Sequence, residues 1–434
     1  SGNQRTFTIS FWVKRTDLAT GANQFPISFY QDANNRVSFA FLTNNTFVIY
    51  AEDGGSGRLT MTTSKIFRDV SAWYHIVVAF DTTQGTESNR LKSYVNGVQQ
   101  TSFADISYPT QNRDLIVNTN IWIGTYENSV NWLHGYLAEF VYIDGLQLDA
   151  SSFGEFDDDT PTIWKPKNVG GLTFGTNGFY LDFEDSGNLG NDKNGGTDLS
   201  ESNLAATDQH TDTCTNNFAT MNPLDNYYNA AAFSEGNLKI TTATSGGYAP
   251  TVSNFGVSSG KWYVECKYVS RSHSDNYSMI GVRSTQTANT NYLGENTNDY
   301  VYYSGNGKTY SGGSASNYGN SFDQGNTIGI YLDLDNNKLY FSKDGTLQNS
   351  GTGVSITAPG STSLGNYFFS AMDYGNSVSN VYEWNFGGGT PTSISTGNAD
   401  DNGYGNFEYS PNITGDGAAK SFYALNTKNI AEFG

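Results

Sequence analysis

From Phe7 onward the side chains follow a period of two: Phe7, Ile9, Phe11 and Val13 interleave with Thr8, Ser10, Trp12 and Lys14. Val37, Phe39 and Phe41 interleave in the same way with Ser38, Ala40 and Leu42. Strands repeat every second residue and helices do not. The pattern predicts further strands over Thr46 to Tyr50, Arg58 to Thr63, Trp73 to Asp81, Leu91 to Val95, Asn120 to Gly124 and His134 to Ile143. Asp53-Gly54-Gly55, Asn96-Gly97 and Asp144-Gly145 supply turns between them. Short strands at this spacing predict a two-sheet sandwich.

The alternation lapses after Asp157-Asp158-Asp159, through three prolines and the Gly/Asn-rich stretch Gly187 to Gly196. One alternating segment, Gly178 to Phe183, is a strand candidate within this stretch and could pair with either neighbour. A second strand-rich region runs from Phe233 to Gly387. It includes a meander of hairpins in which Asn336-Asn337 and Asp344-Gly345 form the turns. The fold class expected is therefore all-β: two antiparallel β-sandwich, jelly-roll-like domains joined by a linker. Boundaries fall at 1–165 and 233–390 for the sandwiches, 166–232 for the connector and 391–434 for a C-terminal tail that contacts other chains.

Composition narrows the ligand classes. Against 42 Asp+Glu stand 23 Lys+Arg, a formal net charge of -19 in 434 residues, which repels nucleic acid and anionic lipid. Aromatic residues make up 15% of the chain, too many for a disordered acidic polymer, so the charge sits on folded surfaces. No apolar run approaches the ~18 residues of a membrane-spanning helix, so no membrane insertion is expected. Cys214 and Cys266 match no zinc spacing; a free buried cysteine in a sandwich is the plainer reading, with pairing of the two as the alternative. The start at Ser1, without Met and inside a strand pattern, implies a fragment whose preceding strands are missing.

Several ordered motifs carry a family likeness. Trp73 to Asp81, Lys92 to Gly97, Ile121 to Gly124 and Gly135 to Ile143 resemble the successive strands of the laminin-G-like branch of the concanavalin A-like jelly rolls. Gly260 to Cys266, Met279 to Val282, Gly325 to Asp335, Lys338 to Gly345, Tyr367 to Ala371 and Tyr382 to Phe386 resemble those of a SPRY domain. The order of these two modules, with Gly175 to Phe183, Ala205 to Leu224 and Tyr423 to Ile430, resembles structural proteins of tailed bacteriophages of marine and cyanobacterial hosts. The resemblance implies a surface-exposed virion appendage. Its partners would be other virion subunits in a homo-oligomer, and a glycan or protein of the host surface.

Catalysis has little support in the chain. Glycoside hydrolysis needs two carboxylates flanking the bond, and the nearest cluster, Glu155-Phe156-Asp157-Asp158-Asp159-Thr160, lacks the second Glu and follows the last strand. His75, His134, His210 and His273 are scattered, and no nucleophile elbow accompanies them. The expectation is a non-enzyme that requires no cofactor, with calcium as a candidate ion. Asp192, Asn194 and Asp198 have the alternation of an oxygen-rich cation loop, a setting equally that of a flexible connector. Asp333-Leu334-Asp335-Asn336-Asn337 lacks the glycine of a calcium loop and reads as a hairpin, while Asp53 to Gly57 with Asp81 is suggested by family geometry alone.

The candidate ligand face is the tyrosine-rich segment Tyr292, Tyr300, Tyr302, Tyr303, Tyr310 and Tyr318, spaced by Asn, Ser and Gly. Rigid aromatic faces with hydroxyl tips and adaptable polar neighbours are the composition of binding loops. The competing reading is an ordinary amphipathic strand from Asp299 to Ser304, which would take about half of these rings into the core. The functional expectation is adhesion to host-surface glycans or proteins. A purely structural fibre-shaft or capsid-decoration role is the alternative, and a glycan-active enzyme comes third.

Overall fold

The computed structural model describes residues 2–434 except 20, 55, 128–129, 227–228, 244–246, 249, 272–275, 286–290 and 376–378, with backbone alone at 56–58 and 375. It is nearly all β, with one short helix, Thr427–Phe433, among the described residues. The chain divides into two compact units, Ser1–Gln209 and His210–Gly434.

The first unit stacks two six-stranded antiparallel sheets. One sheet runs Phe179–Leu181, Gly135–Asp144, Thr6–Arg15, Trp73–Asp81, Leu91–Val95 and Val98–Gln99. The other runs Asn120–Ile123, Gln24–Asp32, Asn35–Phe41, Thr46–Asp53, Ser56–Ile66 and Phe103–Ser107. Phe7, Ile9, Phe11 and Val13 point between the sheets onto Ile27, Phe29, Phe39 and Phe41, forming one continuous core. The interleaved set Thr8, Ser10, Trp12 and Lys14 is buried as well. A third layer containing Ala150, Phe153, Val169 and Phe174 packs on Val77, Val141 and Ile143 and covers this outer face.

The hairpin Gly154–Phe156 with Trp164–Pro166 belongs to that cover. Trp164 Nε1 donates to Nδ1 of buried His75 at 2.9 Å, and the His75 ring stacks on Trp12 at 4.7 Å. Glycine is required beneath this indole: Gly97 takes φ 78° in the Asn96-Gly97 turn, and a Cβ there would lie 2.6 Å from the Trp164 ring.

The second unit pairs a nine-stranded sheet with a six-stranded one. The first is centred on Val381–Asn385, Lys261–Ser270, Thr327–Asp333 and Lys338–Lys343. The second runs Thr251–Val257, Tyr367–Met372, Met279–Arg283, Asp299–Tyr303, Lys308–Ser311 and Ser314–Asn317. Trp262, Val264, Cys266 and Tyr268 meet Ile280, Val282, Tyr300 and Tyr302 in the core. The expected turns are present, with Asn337 at φ 53° and Asp344-Gly345 at 46° and 75°. Neither Cys214 nor Cys266 is in a disulfide.

The structure corrects the 1–165, 166–232, 233–390 and 391–434 boundaries. The 166–232 segment is no separate connector: Phe179–Leu181 extends the first unit's sheet, pairing Phe140 with Leu181 and Tyr142 with Phe179. Met221, beyond the division, enters the second unit's core. Nor is 391–434 a free tail, since Phe407, Phe422 and Ala424 bury Tyr263, Tyr331 and Tyr340 on the second face of the larger sheet. Buried Glu265 fastens this strap by accepting the backbone N–H of Glu408 at 3.0 Å and of Tyr409 at 2.7 Å. Turn-rich composition imitates a linker, but strands apolar on both faces need a covering layer, and these segments supply it.

Candidate functional site

Strand Asp299–Tyr303 sorts the candidate tyrosines by parity. Tyr300 (9% exposed) and Tyr302 (0%) point into the sandwich, and Tyr318 (8%) joins them from the segment after Ser314–Asn317. Tyr302 packs against Phe322 at 5.0 Å, Phe341 at 5.4 Å and Tyr318 at 5.7 Å, and its hydroxyl donates to the Asn320 carbonyl. Burial pushes its phenol up to about 12. The Tyr318 hydroxyl accepts the Phe341 N–H at 3.0 Å. Tyr300, Tyr302 and Tyr318 are therefore core residues, which corrects their assignment to a ligand face.

Tyr292, Tyr303 and Tyr310 lie on the opposite face of the same sheet, over buried Met279, Leu293, Val301 and Met372. Three tyrosines absent from the sequence-based set complete the surface. The ring contacts run Tyr303 to Tyr310 at 5.5 Å, Tyr310 to Tyr292 at 6.4 Å, and Tyr292 to Tyr248 at 5.8 Å. They continue from Tyr248 to Tyr374 at 5.0 Å and from Tyr374 to Tyr277 at 5.8 Å. All six rings are half-buried. Tyr248 reaches Tyr374 because the short strands Gly247–Tyr248 and Tyr374–Gly375 pair antiparallel. The mirrored Gly-Tyr and Tyr-Gly dipeptides were the only local signal.

Three polar ends of this surface are open among the described residues. Tyr310 accepts a hydrogen bond from Asn306 Nδ2 at 3.1 Å, whereas the hydroxyls of Tyr248, Tyr292 and Tyr374 have no partner among the described residues. Partial burial raises the Tyr292 phenol, with Glu295 adding to the effect. The rings of Tyr248 and Tyr292 offer apolar area with a hydroxyl donor and acceptor at the tip.

The other sequence-derived sites resolve into turns. Asp192 is buried, its Oδ1 accepting Tyr180 N–H at 2.9 Å and Asn194 N–H at 3.0 Å, its Oδ2 accepting Gly196 N–H at 3.0 Å. Asp198 accepts Asp192 N–H at 3.0 Å. These carboxylates order a loop through backbone donors, and the Asn194 side chain is exposed. Asp192, Asn194 and Asp198 thus share one turn, in which the inner carboxylate oxygens face N–H groups. Among the described residues no cluster of three His, Cys, Asp or Glu is placed to hold a metal ion.

Asp333 caps its hairpin through Asn336 and pairs with Lys420 at 3.2 Å. In the Asp53 to Gly57 loop, residue 55 lies outside the described residues. Asp157 pairs with Lys165 at 3.1 Å in an exposed turn, and that contact holds its carboxyl below the usual range. His75 is buried and His134 exposed; His273 lies outside the described residues.

Comparison with known proteins agrees with both sandwiches. Residues 1–149 match the family model of the concanavalin A-like lectin/glucanases superfamily, and residues 261–380 match that of the SPRY domain. A concanavalin A-like domain and a SPRY domain are thus found in one chain, the first within Ser1–Gln209 and the second within His210–Gly434. The SPRY domain of human HERC1 is 17% identical over 38% of this chain and 96% of that one, with a TM-score of 0.32. A second human SPRY domain is 14% identical over 36% of this chain and 93% of that one, with a TM-score of 0.28. Stonustoxin is 16% identical over 38% of this chain and 27% of that one, with a TM-score of 0.29. No curated protein matches the chain.

Proposed function

We propose that the protein is a non-catalytic adhesion component of a phage virion appendage, displaying its domains on the virion surface to contact a host-surface glycan or protein. In this reading it assembles as a homo-oligomer with other virion subunits and needs no cofactor for the contact. The lectin-like and SPRY domains suggest binding modules. The observation that carries the reading is the continuous surface of six half-buried tyrosines on the SPRY unit, three of them with unpartnered hydroxyls. Aromatic faces with polar tips recur at the energetic centres of recognition surfaces. The virion attribution is supported by the order of modules and by the segments Gly175 to Phe183, Ala205 to Leu224 and Tyr423 to Ile430. Linked copies would turn weak individual contacts into firm attachment.

The test is retention of the purified chain on immobilised marine cyanobacterial envelope fractions and on an array of their polysaccharides. Combined Tyr292→Ala, Tyr303→Ala and Tyr310→Ala substitution should weaken retention roughly thirtyfold or more, since one hot-spot aromatic contributes about 2 kcal/mol or more. Retention equal to wild type would remove the tyrosine surface as the ligand face and favour the fibre-shaft alternative.

A further inference from the structure

The two edges of the second unit's six-stranded sheet differ. At one edge Thr251–Val257 is covered: Asn222 N–H donates to the Val252 carbonyl and Asn254 N–H to the Thr220 carbonyl, each at 2.8 Å, and Met221 bridges to Ser253. At the other edge Ser314–Asn317 pairs, among the described residues, with Lys308–Ser311 alone, and each of its residues is exposed. Gly312 and Gly313 turn this hairpin at φ 57° and 71°, so Ser311 and Ser314 flank a two-residue loop and exchange both backbone hydrogen bonds. Alternation makes Thr309 and Ser316 the next hydrogen-bonded pair. The N–H and C=O groups of Ala315 and Asn317 therefore point outward from the sheet edge, without a hydrogen bond among the described residues.

Lysine, proline or a bulge ordinarily blunts such an edge. The edge strand Phe103–Ser107 of the first unit carries Asp105, and its pairing shifts register at Thr62/Thr63. Ser314-Ala315-Ser316-Asn317 carries neither charge nor proline, and its register with the neighbouring strand is unbroken. Charge points to the occupant. Two chains of net charge -19 meet at the lowest electrostatic cost where neither is charged, and Thr309 to Phe322 contains no charged residue. The strand is also complementary to itself. Its open groups lie at Ala315 and Asn317, symmetric about Ser316, so a two-fold axis at Ser316 sets Ala315 opposite Asn317 of the second copy. Both N–H groups of each copy then meet both C=O groups of the other.

We propose that Ser314–Asn317 pairs antiparallel with the same strand of a second copy of this chain, joining two six-stranded sheets into one. The proposal rests on the homo-oligomer of the proposed function and not on its adhesive part. Ala315 stands opposite Tyr310, so the tyrosine surfaces of both copies lie on one face of the joined sheet. An interface this small is weak alone and becomes effective among linked copies.

Disulfide trapping of the full chain in a Cys214→Ser background tests the register, with Cys266 left in place because it is buried. Ser316→Cys should cross-link two copies under oxidised glutathione, since residues facing each other at this axis have Cα atoms about 4.5 Å apart. Ala315→Cys, also exposed, sets its Cα atoms roughly 9 Å apart, beyond the ~7 Å a disulfide spans, and should cross-link roughly tenfold more slowly. Sedimentation velocity of the wild-type chain at rising concentration should show a reversible dimer. Ala315→Pro removes an outward N–H and none within the hairpin, so it should weaken the dimer roughly tenfold and keep the wild-type thermal midpoint. Equal cross-linking by Ala315→Cys and Ser316→Cys, or wild-type association in Ala315→Pro, would overturn the pairing while leaving a homo-oligomer. A strictly monomeric wild-type chain without a Ser316→Cys cross-link would overturn both. The selective cross-link in a chain that is not retained on envelope fractions would uphold the pairing and remove only the adhesive reading.

Discussion

Tyr302 and Tyr310 sit on neighbouring strands of one sheet, and truncating each separates folding from binding. Tyr302→Ala removes a fully buried ring packed on Phe322, Phe341 and Tyr318. Truncation of a buried aromatic to Ala costs about 3–5 kcal/mol, and the lost hydroxyl bond to the Asn320 carbonyl adds about 1 kcal/mol. A unit of this size loses about 2–4 °C per kcal/mol, so its melting transition should fall by roughly 8–24 °C. Tyr302→Phe keeps the ring and should cost only about 1 kcal/mol. Tyr310→Ala removes a half-buried ring from the outer face and should stay within about 1 kcal/mol of wild type. Differential scanning calorimetry with near-ultraviolet circular dichroism reads all three. A Tyr302→Ala midpoint no lower than that of Tyr310→Ala would refute the assignment of parity, and with it the placement of the tyrosine surface.

The buried His75 and the carboxylate of Glu265 give two further expectations. Burial depresses His75 to about 3, so below its ordinary pKa of about 6.5 the unfolded chain takes up a proton that the folded chain does not. Its neutral-state stability is complete above pH ~6.5 and is lost progressively toward pH ~3, by at most roughly 5 kcal/mol. Urea midpoints followed from pH 7 to 4 should therefore fall more steeply in wild type than in His75→Gln, and parallel profiles would contradict the assignment. Glu265→Ala leaves the Glu408 and Tyr409 amides without their acceptor, at a cost of about 2–4 kcal/mol. Limited proteolysis should then cut first between residues 391 and 410, and cleavage elsewhere at an unchanged rate would show that Glu265 does not hold the strap.

The sequence by itself determined where the strands and their turns lie. Alternation at Phe7 to Val13 and the Asn96-Gly97, Asn336-Asn337 and Asp344-Gly345 turns are local properties, set by side-chain period and by residues that tolerate positive φ. Tertiary pairing alone decided which parity of each strand met the core, because a slip of one residue exchanges its two faces. Tyr302 and Tyr303 are adjacent and chemically identical, yet one is core and the other surface. The same holds for Tyr248 and Tyr374, distant in sequence and joined by a two-residue pairing. The segments that read as a connector and a tail become covering layers because the second faces of both central sheets are apolar. Cover is a demand of the assembled sheet, and no window of sequence shorter than the whole unit contains both the demand and its answer.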